Sequence, residues 1–344
     1  MSHHPATLRS TLHPDFVTTL AATGYAYPSD LVTNEEYLAR ARFPIEDAAA
    51  LAAETRLQTR TWCAPGETTY TLARDAVARA LASNPALRDE IDLVIVASGT
   101  SVPVLHPVDP QSPGTADIAP LLVRDLGRPG VLGFDLKACY CTGFLRAMQV
   151  ADAMLADRGC RAALVVATEQ GSRLAVAESN RSTFCFLMSD AAGAAVLRKA
   201  PRASGLGLID QVGHTDGSRH DLITVAPDGI SMLVRGQKAG AATLEMLVAA
   251  GRTLLDRHRL TPRDVSWLVP IQTHARVVDG LASALDWPRD RVLWRGDVTG
   301  FSGSASVPAA LAEHIERGVI RKGDLVMSLA VGAGMNAAGA LYYV

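Results

Sequence analysis

The feature that most narrows the folds open to this chain is that it is similar to itself. Residues 130–169, GVLGFDLKACYCTGFLRAMQVADAMLADRGCRAALVVATE, run parallel to residues 291–330, RVLWRGDVTGFSGSASVPAALAEHIERGVIRKGDLVMSLA. Each stretch reads as a short strand, a glycine-containing turn, a helix, an Arg-Gly helix exit and a buried strand. DLVIVASGT (92–100) has a counterpart in SWLVPIQTH (266–274). A unit that recurs once across a chain implies two halves of one architecture, each needing the other to cover its apolar face. The join falls in RKAPRASG (198–205), a basic stretch with the Pro and Gly of a linker. This predicts an N-terminal half over 1–200 and a C-terminal half over 201–344.

Continuous apolar runs at 91–100, 161–169, 191–199, 265–274 and 323–334 alternate with helical patterns. Strands apolar on both faces belong to a sheet covered by helices on both sides, so the chain is α/β. Its 344 residues suffice for two ordinary domains or one large duplicated one. With 48% hydrophobic and 20% charged residues it fits a globular protein with a large core, and a net charge of −2 gives no footprint for nucleic acid. The first residues lack an apolar segment and no run of about 18 apolar residues occurs, so neither a signal peptide nor a membrane span is expected. Five cysteines, an odd number without a signal peptide, point to free thiols in a reducing, cytoplasmic setting. Their one close pair is Cys-x-Cys, without a second pair at ligand spacing, so no metal is expected.

That pair, Cys139 and Cys141, precedes a helical stripe of Phe144, Ala147, Met148, Ala151, Met154 and Leu155. A thiol at a helix start faces unpaired backbone N–H groups and the positive end of the helix dipole. Both favour thiolate and predict a lowered pKa for Cys141. The strand–turn–helix setting would hold the sulfur above the carboxyl ends of the sheet, where open α/β folds place their chemistry. Two small buried residues would leave the same pattern.

The motif FDLKACYCTGF, followed by FCFLMSDAAGAAVL, resembles the nucleophile turn and following strand of the ketoacyl synthase III family of the thiolase superfamily. TRLQTRTWCAPGET (55–68), GLGLIDQVGHTDGSRHDLIT (205–224), WLVPIQTHARVV, GFSGSASVPAAL and LAVGAG resemble further family segments in order, from about residue 18 to the end. The resemblance implies a thiolase-like duplicated α/β/α/β/α layered fold. It also implies an acyltransferase whose cysteine holds an acyl group as a thioester. Alignment through Gly143-Phe144 makes Cys141 the nucleophile; alignment from Asp135 is one residue out of step and keeps Cys139 as the alternative. The matching oxyanion-hole amides are those of Cys141 and Ala333. Arg276 matches a basic position that contacts an acidic carrier protein. No cofactor is implied, acyl-CoA or an acyl-carrier-protein thioester being the substrate, and the family implies a homodimer or a heterodimer with a related subunit.

The chain departs from the pattern where the family has a His and an Asn. These positions carry Ile271 and Phe301, which donate no hydrogen bond. His274, three residues on, would serve as base if a helix began near Pro270 and kept it on the same face. His106 lies in a Pro-rich stretch that could line the site, and His314 reads as a polar-face helix residue. The family's Trp and Arg that contact coenzyme A appear as Ala50 and Glu54, which departs from the usual coenzyme A site and leaves a carrier-protein donor open. The expected product is either a 3-oxoacyl thioester made from a malonyl thioester or an ester or amide of specialised metabolism. Alternatives are a non-catalytic partner subunit and a thioester hydrolase.

Overall fold

The structure, a computed structural model, describes residues 8–10, 12–41, 45, 47–100, 106–107, 114–115, 117–137, 140–157, 159–176, 183–204, 206–225 and 232–344. Cys139 lies outside the described residues, as does most of the Pro-rich stretch around His106.

Two sheets carry the duplication. The first contains β1 (Phe16–Ala26), β2 (Ile91–Ala97), β3 (Leu132–Leu136), β4 (Ala162–Gln170) and β5 (Asp190–Pro201), in the order β1-β5-β4-β2-β3. The second contains β6 (Leu208–Thr215), β7 (Trp267–Pro270), β8 (Leu325–Gly332) and β9 (Asn336–Tyr343), in the order β6-β9-β8-β7. The pairings correspond. β1 and β4 are antiparallel to β5 while β2 is parallel to β4; β6 and β8 are antiparallel to β9 while β7 is parallel to β8. Only the edge differs. β3 is a full strand beside β2, whereas its expected counterpart near Val292 makes a single bridge to Leu268. Side chains take over the ladder there: the Arg295 N–H goes to Gln272 Oε1 (2.6 Å), and Trp294 Nε1 donates to the Thr273 carbonyl (2.9 Å).

Helices α1 (Ala48–Thr55), α2 (Thr69–Ala82), α3 (Gly143–Met154), α4 (Gly236–His258), α5 (Ala275–Ala284) and α6 (Ser306–Glu316) complete the layers. α2, started by a Thr68–Thr71 capping box, covers β1, β5 and β4 from outside. α3 and α6 lie between the sheets: α3 packs on β2, β4 and β9, and α6 on β5, β1, β7 and β8. α4 covers β9, β8 and β6 from outside, with α5 beside it. The order is therefore α/β/α/β/α, and it explains the apolar runs: β4 and β8 are buried along almost their whole length because each faces helices on both sides.

The middle layer is tight. A Cβ on Gly193 of β5 would stand 2.6 Å from the backbone N of Ala309, so α6 lies directly on the strand backbone. His314 is buried in this helix, its Nδ1 at 2.7 Å from the Ala310 carbonyl, rather than on a polar face. A surface helix would have left it in water; a central helix has no such face. Among the described residues no helix is long and apolar enough to cross a membrane.

Candidate active site

Cys141 sits in a 3-10 turn, Tyr140–Thr142, that runs directly into α3. This turn packs on β8, β9 and the Gly303–Ala305 turn ahead of α6. Tyr140 has φ +42°, a left-handed angle that costs a non-glycine residue roughly 1–3 kcal/mol. The bend is thus imposed by its surroundings, and it turns the chain sharply at the residue before the sulfur. Gly143 begins α3 because a Cβ there would lie 3.0 Å from Ala97 Cβ and 3.1 Å from Ser304 Cβ. The helix start is pressed between the end of β2 and the Gly303–Ala305 turn. Gly99 follows the carboxyl end of β2 and Cys141 that of β3, while Ile271 and Ala333 follow the carboxyl ends of β7 and β8 in the second sheet.

The thiol is half-buried, with an electrostatic setting opposite to the one expected from the helix start. Burial, then the negative charge of Glu169, push the Cys141 thiol up to about 12, against a smaller lowering by the backbone hydrogen bond in its own turn. The resting sulfur is a thiol, and forming the nucleophile requires a proton acceptor or a substrate that changes the environment.

Glu169 was not among the sequence candidates. It ends β4, is buried, and gathers donors from two segments: the Gly99 N–H (2.8 Å), the Thr100 N–H (2.8 Å) and hydroxyl (2.6 Å), the Ser304 hydroxyl and the Ser304 N–H (3.3 Å). Burial raises its pKa and these donors lower it, with burial the larger effect. One acidic residue closing a long apolar run, VATEQ, was the available signal, because a carboxylate is rarely buried without dedicated partners.

Ala333 follows β8 and is buried. Its carbonyl accepts from Asn336 Nδ2 (2.7 Å), and the left-handed angle in this turn falls on Gly334 (φ +120°), one residue further on. A side chain at 333 therefore needs no unusual backbone.

Ile271 and Phe301 are both buried. The Ile271 N–H donates to the Leu329 carbonyl (2.8 Å), continuing the pairing of β7 with β8. Phe301 exchanges backbone hydrogen bonds with Leu187 and Ser189, and its ring meets Phe184 edge-on at 5.5 Å. Hydrocarbon occupies both positions.

His274 lies elsewhere. β7 ends at Pro270 but α5 begins only at Ala275, so residues 271–274 are not helical and the three-residue offset does not keep His274 on one face with Ile271. It is instead the N-cap of α5: its Nδ1 accepts from the Arg276 N–H (3.2 Å), and its Nε2 is 3.8 Å from Glu54 Oε1 on α1. Among the described residues no hydrogen bond or ion pair joins His274 to Cys141. Burial lowers the His274 pKa, against a raising effect of Glu54, so the ring is neutral at pH 7. Arg276, with 72% of its side chain exposed, is paired with the same Glu54 oxygen at 2.5 Å. Arg56, the residue that caps α1, and Asp279 of α5 form a second ion pair.

Comparison with known proteins gives a consistent result. The family profile described as 3-oxoacyl-[acyl-carrier-protein (ACP)] synthase III matches residues 134–217, and that of its C-terminal region matches residues 255–344. A β-ketoacyl-[acyl-carrier-protein] synthase III of Acidiphilium cryptum is 33% identical over 333 residues, covering 94% of this chain and 98% of that protein. Among solved structures, the priming β-ketosynthase of the R1128 polyketide pathway is 26% identical with a TM-score of 0.81, covering 100% of this chain and 99% of the other. A 3-oxoacyl-[acyl-carrier-protein] synthase III from Aquifex aeolicus superposes with a TM-score of 0.83 at 24% identity, over 95% of this chain and 100% of that one, a likeness of fold.

Proposed function

Because this chain belongs to the 3-oxoacyl-[acyl-carrier-protein] synthase III family of acyl-transferring, condensing enzymes, we propose that Cys141 is its nucleophile and carries the acyl group between donor and acceptor. The observation that carries the reading is a partly buried cysteine in a strained turn at a helix start, packed on β8 and β9 of the second sheet and on the turn ahead of α6. Cys141 sulfur attacks the thioester carbonyl, the new C–S bond forms, and the carrier thiol leaves with the proton that the cysteine gave up. The backbone N–H groups of Cys141 and Ala333 face the oxyanion. The acyl group then passes to a malonyl thioester, with loss of CO₂, or to a hydroxyl or amine.

Hydrocarbon at Ile271 and Phe301 favours the ester- or amide-forming branch. Each missing donor costs the decarboxylative branch about 2.7–4 kcal/mol of oxyanion stabilisation. The donor is a carrier-protein thioester, with Glu54 disfavouring the phosphates of coenzyme A and Arg276 meeting the acidic carrier; the thioester is substrate, and no resident cofactor is invoked. The free edge of β3, with Leu132 52% exposed, is the surface on which a second copy of this chain adds a strand. The four described cysteines are free, as suits a reducing cytoplasm.

The test is intact-protein mass after incubation with acyl-carrier-protein and acyl-CoA thioesters. A mass increase equal to the acyl group, absent in Cys141→Ser, supports the enzyme. Absence of an adduct with every donor favours the second reading, a non-catalytic partner subunit, which the same apolar positions suggest; adduct retained in Cys141→Ser moves the nucleophile to Cys139.

A further inference from the structure

We propose that Glu169 is the positioning residue of the nucleophile turn, clamping the two segments that flank it and presenting a negative charge to the sulfur. The proposal rests on Cys141 as the nucleophile, and it starts from where the donors of Glu169 come from. Gly99 and Thr100 follow β2, and Ser304 lies in the turn before α6, so one carboxylate ties the N-terminal half to the C-terminal half. Both tied segments touch the turn itself. A Cβ on Gly99 would lie 3.1 Å from Tyr140 Cδ1 and 3.3 Å from Tyr140 Cα, and a Cβ on Gly143 would lie 3.1 Å from Ser304 Cβ. Gly99 thus borders the residue before the sulfur, and Ser304 the second residue after it. Moving Glu169 moves both walls.

The hydrogen bonds also bear on the charge. Thr100 Oγ1 accepts from the Gln170 N–H (3.0 Å), so its own proton is directed at Glu169. The Gly99, Thr100 and Ser304 backbone N–H groups can only donate. These donors favour the carboxylate, against the burial that raises its pKa. Its field acts on the thiol in the direction already described.

No cation offsets it among the described residues. Arg146 of α3 donates to Gln149 Oε1 and to the carbonyls of His214 and Ala337; Lys137 pairs with Asp117. Asp135 of β3 accepts from the Ile118 and Ala119 N–H groups, and Asp152, far along α3, from Thr18. Tyr140 of the same turn is raised by burial, then by Cys141 and Glu169. β8 brings no charged residue, and Tyr342 of β9 is bonded to Ser328. Burial is the larger cause of the raised thiol, and Glu169 is the charge that adds to it.

The experiment is the rate of Cys141 alkylation by iodoacetamide between pH 7 and 10, where the rate tracks the thiolate fraction and so reports shifts of a midpoint near 12, read by fragment masses that separate Cys141 from Cys139. Glu169→Gln lowers the midpoint by at least about one unit, and so accelerates alkylation at pH 8 about tenfold. Ser304→Ala, which removes a donor but keeps the charge, moves the midpoint upward. Opposite movements are a signature that loosened packing alone does not produce. An unchanged midpoint in folded Glu169→Gln overturns the proposal; should that variant not fold, an unchanged or lowered midpoint in Ser304→Ala overturns it. The readout needs no acyl donor, so a failed acyl adduct in the wild-type chain refutes the catalytic reading separately.

Discussion

Substitution of Gly143 by Ala separates stability from catalysis at this site. The added methyl would meet Ala97 Cβ at 3.0 Å and Ser304 Cβ at 3.1 Å, where ordinary contact begins near 3.4 Å. Neither neighbour can yield. Ala97 is fully buried in β2, paired on both sides by β3 and β4, and Ser304 is held by Glu169. α3 must therefore back away by about half an ångström and carry Cys141 with it. Overpacking of this kind costs about 1–3 kcal/mol, and the better helix propensity of alanine returns up to about 1 kcal/mol. The net loss is about 0–2 kcal/mol, a few degrees in Tm. The catalytic effect is larger in proportion: if a misplacement of about 1 Å costs a hundredfold, half of it costs about tenfold. Acylation rates from quenched intact-mass measurements, beside urea melts of the same protein, give both numbers. Acylation within twofold of wild type in Gly143→Ala would show that the packing of this helix start does not control the nucleophile.

Two further expectations concern the face between α1 and α5. Arg276→Glu breaks the pair with Glu54 but leaves stability within about 0.5 kcal/mol, because the pair is exposed; transfer from a carrier-protein donor falls while transfer from a small acyl thioester does not, read as KM for each donor. His274 has a folded-state pKa below the usual 6.5, so the unfolded chain binds its proton first and the native state loses stability as pH falls below about 6.5. His274→Asn, which keeps a capping side chain, should therefore lose less stability than wild type between pH 7 and pH 5 in urea titrations.

Much of the architecture can be read from one dimension because the signals are local and repeated. Apolar runs on both faces of β4 and β8 demand helices on either side, and the recurrence of strand–turn–helix–strand demands two similar sheets. The helical stripe after Gly143 has the 3.6-residue period that α3 shows. What escaped depends on neighbours distant in sequence. The counterpart of β3 shrinks to one bridge at Val292 because Gln272 and Thr273 capture the Arg295 N–H and the Trp294 indole. His314 has the spacing of an exposed residue, yet α6 is enclosed by both sheets.

The same division runs through the site. Sequence alone determined the duplicated layers and the location of a cysteine at a helix start, since periodicity and turn residues act over a few positions. Only the tertiary structure decided how that sulfur is ionised and where His274 points. Those outcomes depend on burial and on Glu169, Ser304 and Glu54, which come near the Cys141 turn or His274 only after residues far apart in sequence, 222 positions for Glu54 and Arg276, have been packed together.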